Sequence, residues 1–169
     1  MCRSADVLVR RLEARDLETL NRELPVWNAG EYARRLEAQS RGGLEQAIAW
    51  IDDAPVGRGM ALFPGHEEYS ISAVREGCAE GRDVFVRPER RRMGVARSIM
   101  TSLEAAAGER GFPIGLSVST SEDAEPARAL YASLGYRPAH GPYVTSTFLD
   151  GDEGPIPVFA VLTYLVKPR

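Results

Sequence analysis

The chain has 169 residues, a formal net charge of -3 and 44% apolar content, enough to bury a substantial core without cross-links. A pI near 5.5 argues against a dedicated nucleic-acid binder, which is usually basic. No apolar run approaches the length of a transmembrane helix, the N-terminal MCRSADVLVRRLEARD lacks the apolar centre of a signal peptide, and Cys2 and Cys78 have neither disulfide nor metal-ligand spacing. The expectation is a cytoplasmic protein with one domain over residues 1–169.

VLVRRLE, residues 7–13, reads as a first strand with Val7, Val9 and Arg11 on one face. Asp16 stands at an N-cap position before Leu17 and Leu20, and a second helix is expected from Glu31 to Gln39, stopped by Gly42 and Gly43. Residues 44–52 and 56–64 form two strands around an Asp53-Ala54-Pro55 turn. Residues 65–80 are expected to hold a strand extension around Tyr69 to Val74 and a variable loop. EGRDVFVRP continues as a strand that ends at Pro88, because proline cannot extend a central ladder.

From Gly94 the period turns helical, with Val95, Ile99, Leu103 and Ala106 or Ala107 on one stripe ended by Gly108 and Gly111. Ile114, Leu116 and Val118 alternate as a strand. Pro126 opens a short helix through Leu130 and Leu134 that Gly135 closes. Residues 143–150 and 157–166 read as a final antiparallel hairpin around Gly151 to Gly154. This order defines a mixed α/β architecture.

VRPERRRMGVARSIM, residues 86–100, concentrates arginine between a strand end and a helix start. The first N–H groups of a helix lack intrahelical acceptors and carry positive potential. Arg91-x-x-Gly94-x-Ala96 keeps side chains small where a phosphate would approach the backbone. Flanking arginines add attraction for a polyanion. A nucleic-acid surface on the Arg87 to Arg97 cluster would need aromatics interleaved with the charge, and none lie there.

PERRRMGVARSIM resembles the acyl-CoA-binding signature of the GCN5-related N-acetyltransferase (GNAT) superfamily. EPARALYASLGYRP, residues 125–138, resembles the family's second signature, Ala-x-x-Leu-Tyr-x-x-x-Gly-Phe/Tyr. The resemblance implies a mixed, mostly antiparallel sheet of six to seven strands, splayed in the middle and flanked by about four helices. It implies acetyl-CoA as acyl donor, without a metal, held by Phe85, Val86, Arg91, Arg92, Met93, Gly94, Val95, Ala96 and Arg97. The pantetheine arm would lie between the strands ending near Val86 and Val118, and a primary amine would attack the thioester directly in a ternary complex.

Tyr131 then stands as candidate acid for the leaving thiolate, and Glu80 as candidate base by its register from Gly94. Asp83, on the same strand but the opposite face, competes with Glu80, as do Glu67, Glu68 and Glu76 in the loop. Ala124 replaces an asparagine that the family often uses beside the cofactor. His66 and His140 read as lone histidines, and Trp27, Trp50 and Tyr69 as core residues or walls of an acceptor pocket. The acidic loops favour a cationic small-molecule or peptide acceptor, and the final strands offer edges for a homodimer. A non-catalytic acyl-CoA sensor is the alternative.

Overall fold

A computed structural model describes residues 6–26, 28–151 and 154–168, so the readings made for Cys2 and Trp27 fall outside the described residues. The elements are β1 (Leu8–Arg11), α1 (Leu17–Glu23), α2 (Glu31–Ser40), β2 (Leu44–Ile51), β3 (Ala54–Leu62), α3 (Ile71–Glu76), β4 (Ala79–Val86), α4 (Val95–Glu109), β5 (Ile114–Ser119), α5 (Glu125–Ser133), β6 (Arg137–Gly151) and β7 (Gly154–Lys167). One seven-stranded sheet runs in the order β1-β2-β3-β4-β5-β7-β6. Every adjacent pair is antiparallel except β4 with β5.

The alternation of β2 explains its two cores. Ala47, Ala49 and Ile51 face α4, where Val95, Ile99, Met100, Leu103 and Ala107 form the buried stripe. Ile48 and Trp50 face the other way, onto Leu20, Leu24 and Tyr32 of the α1–α2 layer. The α4 layer approaches β3 closely because Gly57 and Gly59 present no side chain there. A Cβ on Gly57 would meet the Phe85 carbonyl oxygen at 2.9 Å and Ile99 at 3.0 Å.

Four local expectations need correction. Asp16 caps no helix by the usual route; its carboxylate accepts the Glu13 amide at 3.0 Å and both Arg10 terminal nitrogens at 2.7 and 2.6 Å. Burial works against that carboxylate, but the Arg10 bonds and charge outweigh it and hold its pKa below the ordinary value. The β2–β3 turn is Asp52-Asp53, not Asp53-Ala54-Pro55, with both residues at positive φ as a two-residue hairpin loop requires. Residues 71–76 are helical, not extended. The Ser70 side chain accepts the Ala73 amide, and Gly77 at φ 62 stops the helix. The described α-helices number five.

The fourth correction concerns β6 and β7, which run beyond the expected hairpin. They pair from Arg137 with Val166 out to Gly151 with Gly154.

Gly57→Ala should lower stability by about 1–3 kcal/mol through overpacking against a backbone oxygen. A shift of the urea midpoint at unchanged slope would check this.

Candidate active site

The centre of the sheet opens between β4 and β5. The two strands share only the pairs Ala79 with Ile114 and Glu80 with Gly115. β5 continues on β7 to Ser119, and β4 continues on β3 to Val86, so beyond Glu80 their facing edges part. Backbone groups along these two edges have no ladder partner among the described residues, which leaves hydrogen-bonding capacity facing a cleft.

A bulge directs the divergence. The β3–β4 register shifts between Arg58 and Met60, and Asp83 takes φ 50. The extra residue cancels one step of the side-chain alternation. Asp83 therefore turns to the α1–α2 face, the side that Glu80 also occupies, and not to the opposite one as regular alternation implies.

There Asp83 is already paired. Its Oδ2 accepts Arg35 at 2.6 Å and Arg58 at 2.8 Å, while Arg35 also donates to Gln46 and Glu31. The Arg58 guanidinium lies 4.6 Å from the centre of the Phe85 ring. Two arginines hold Asp83 as a structural anion rather than a free base.

Glu80 sits at the apex of the cleft, 2% exposed. Its Oε2 accepts the Ser70 amide at 2.9 Å, and Arg82 Nε stands 3.5 Å from Oε1. Tyr69 donates to the Cys78 carbonyl, and burial, with Cys78 and Glu80 nearby, pushes its pKa up to about 12. Trp50 is core, its ring stacked under Arg10. Glu67 and Glu68 lie on the exposed stretch before α3, with Arg82 3.5 Å from Glu68.

The arginine-rich loop closes the other end of the cleft. Pro88 to Arg90 form one 3-10 turn, and Arg91 Nε donates to the Val86 carbonyl at 3.3 Å. Arg92 and Gly94 take φ 66 and 81. The first α4 amide with a carbonyl partner is Ser98, bonded to Gly94 at 3.0 Å. The amides of Arg92 through Arg97 have no acceptor among the described residues. A Cβ on Gly94 would meet nothing within 4 Å, so open space lies above the row. Arg92 and Met93 are exposed, Val95 is buried, Ala96 is half-buried, and Arg97 reaches α5 to donate to Ser133 at 2.7 Å. The row combines unsatisfied donors, a helix N-terminus and arginines, which suits a phosphate group.

Tyr131 of α5 is buried against Val118, Met100 and the edge-on ring of Tyr136 at 5.7 Å. Burial pushes its phenol pKa up, so it stays protonated and can donate. Its hydroxyl has no partner among the described residues. Ala124 precedes α5 without a side-chain cap. No metal-binding group of three or more His, Cys, Asp or Glu occurs among the described residues, and no helix is long and apolar enough to cross a membrane.

Sequence reasoning missed the Asp83 clasp, whose partners Arg35 and Arg58 lie on other elements. It also missed the partners of His140, which is not a lone histidine: Nδ1 lies 3.3 Å from Glu76 and Nε2 2.9 Å from Ser72. A Ser-x-x-x-Glu spacing on one helix was the available signal, but nothing local connected it to residue 140.

The sequence matches the acetyltransferase (GNAT) family over residues 9–136, and the chain belongs to that family. Among curated protein sequences, none matches it. Solved structures share its fold. The ribosomal-protein-alanine N-acetyltransferase from Brucella melitensis has a TM-score of 0.66 at 19% identity, covering 96% of this chain and 99% of its own. The ribosomal-protein-S18-alanine N-acetyltransferase from Escherichia coli gives 0.63 at 17% identity, with 97% and 96% covered. The PaiA N-acetyltransferase from Thermoplasma acidophilum, solved in complex with coenzyme A, gives 0.61 at 13% identity, with 97% and 99% covered.

Asp83→Asn should cost about 1.5–3 kcal/mol of stability, because two arginines lose their charged acceptor. Chemical denaturation checks this, and an unchanged midpoint would return Asp83 to the list of candidate bases.

Proposed function

We propose that the chain is one acetyltransferase domain that moves the acetyl group of acetyl-CoA to a primary amine by direct attack in a ternary complex. The observation that carries this reading is the continuity of the β4–β5 cleft with the free amide row at Arg92 to Arg97. A row of donors suits a pyrophosphate, and two unpaired strand edges suit an amide-bearing arm. Acetyl-CoA supplies an activated thioester when bound.

Gly94 and Ala96 keep the approach to the row clear, while Arg91, Arg92 and Arg97 supply charge around it. Buried Val95 anchors the start of α4, exposed Met93 lies beside the row, and Phe85 and Val86 form the last β4 rungs. Tyr131 is the proton donor to the departing sulfur, since burial keeps its phenol protonated. Glu80 takes the amine proton through an intervening water, because its carboxylate is covered and already holds the Ser70 amide. Cys78 offers no competing covalent route: burial pushes its thiol up, and it lies 3.2 Å from the Tyr164 hydroxyl.

The covering of Glu80 and the pairing of Asp83 also favour a second reading, a non-catalytic acyl-CoA sensor. Thiol release from acetyl-CoA with a panel of cationic amines separates the two. Tight CoA binding without turnover on any amine selects the sensor.

Gly94→Glu should abolish CoA binding with the fold retained: nothing blocks the side chain, though φ 81 strains any residue but glycine there, so a urea midpoint serves as the folding control. Calorimetric titration checks it, and undiminished affinity would reject the phosphate-cradle assignment. Tyr131→Phe should lower kcat by about 100-fold with CoA affinity unchanged; wild-type turnover would remove Tyr131 as the acid.

A further inference from the structure

We infer that Ser72, His140 and Glu76 form a second nucleophilic site, one that cleaves small carboxylic esters through an acyl-serine. The site is built from side chains of α3 and β6 that are not part of the β4–β5 cleft, although the α3 N-cap, Ser70, donates its amide to Glu80.

The hydrogen bonds assign the proton positions. His140 Nδ1 stands 3.3 Å from Glu76 Oε1, and Nε2 stands 2.9 Å from Ser72 Oγ. With the ring neutral and its proton on Nδ1 toward the carboxylate, Nε2 is an acceptor and Ser72 the donor to it. That is the nucleophile, base and orienting carboxylate in the order that serine acyl transfer needs.

The array is held before any substrate arrives. Ser72 and Glu76 lie one turn apart on the same side of α3. The imidazole stacks on Tyr164 at 5.1 Å and 12° and on Tyr143 at 5.8 Å and 29°. Tyr164 is fully buried, and the Tyr143 hydroxyl is fixed 2.7 Å from Ser117 Oγ.

A histidine that merely docks α3 onto β6 would use the same bonds but would need no space beside the hydroxyl. Here an open surface depression of about 380 Å³ adjoins both Ser72 and His140, so a ligand can reach the hydroxyl. Pro142, Tyr143 and the exposed Ile71 line its rim with apolar surface, and Arg75, also on the rim, is the nearest cation to it.

In the reaction, Ser72 Oγ bonds to the ester carbon while its proton passes to His140 Nε2. The bond from carbon to the alkoxy oxygen breaks, and the alcohol leaves with the proton from Nε2. Water then attacks the acyl-serine carbon as His140 Nε2 takes its proton; the bond from carbon to Ser72 Oγ breaks, Nε2 returns the proton to Oγ, and the carboxylic acid leaves.

The test uses the full chain without acetyl-CoA, so it is independent of amine acetylation. Incubation with a fluorophosphonate should add one phosphonyl group on the peptide containing Ser72. Hydrolysis of p-nitrophenyl acetate should fall by about 100-fold in Ser72→Ala and in His140→Gln. Ser72→Ala removes only a half-buried hydroxyl, and its urea midpoint serves as the folding control. Glu76→Gln, which keeps the shape, should lower hydrolysis and labelling together. No adduct on Ser72, or equal hydrolysis by wild type and Ser72→Ala, overturns the assignment.

Discussion

Two neighbouring strands that pair over two residues and then separate set the geometry of this molecule. β5 keeps its outer edge on β7 from Ile114 to Ser119, and β4 keeps its outer edge on β3 to Val86 through the bulge at Asp83, so past Glu80 each strand follows its outer neighbour and the facing edges part. A bulge alone is a weak device, since a non-glycine residue at positive φ carries a strain cost. Arg35 and Arg58 hold it by tying the Asp83 carboxylate to α2 and β3. The cleft is thus maintained by a charge cluster placed outside it.

The same strand explains why positive charge gathers where it does. Pro88 ends β4, and a compact turn carries the chain to α4, whose apolar stripe must lie on the sheet. That packing points the α4 N-terminus back at the cleft. Buried helix starts normally find caps for their free amides. Here Gly94 provides none, and the amide row stays open beside exposed arginines. The open donors therefore come from backbone geometry, with guanidinium groups gathered around them.

Residues 65–78 give the fold its individual character. They cover Glu80 through the Ser70 amide, send the Tyr69 hydroxyl to the Cys78 carbonyl, and place α3 where His140 can bridge two of its side chains. One segment thus closes a carboxylate off from solvent and creates a separate polar array beside its own surface depression. The stacked rings of His140, Tyr143 and Tyr164 join that array to the last two strands.

Strand and helix periods, the Gly94 turn and the Tyr131 position were legible in the amino-acid order, because each depends on residues within a few turns of one another. Ser70 and Gly77 carried the capping signals of α3 as well, though six residues between them show little helical period. The face that Asp83 presents was not legible, because one bulged residue reverses the alternation and leaves no composition mark. The partners of Asp83 and His140 were equally hidden: they stand 48 and 64 residues away from Arg35 and Glu76. By itself the sequence determined the family and, apart from α3, the order of the elements. Only the tertiary structure decided which carboxylates are free, which are clasped and which serine meets a histidine, because those pairings arise from strand register and layer packing rather than from neighbours along the chain.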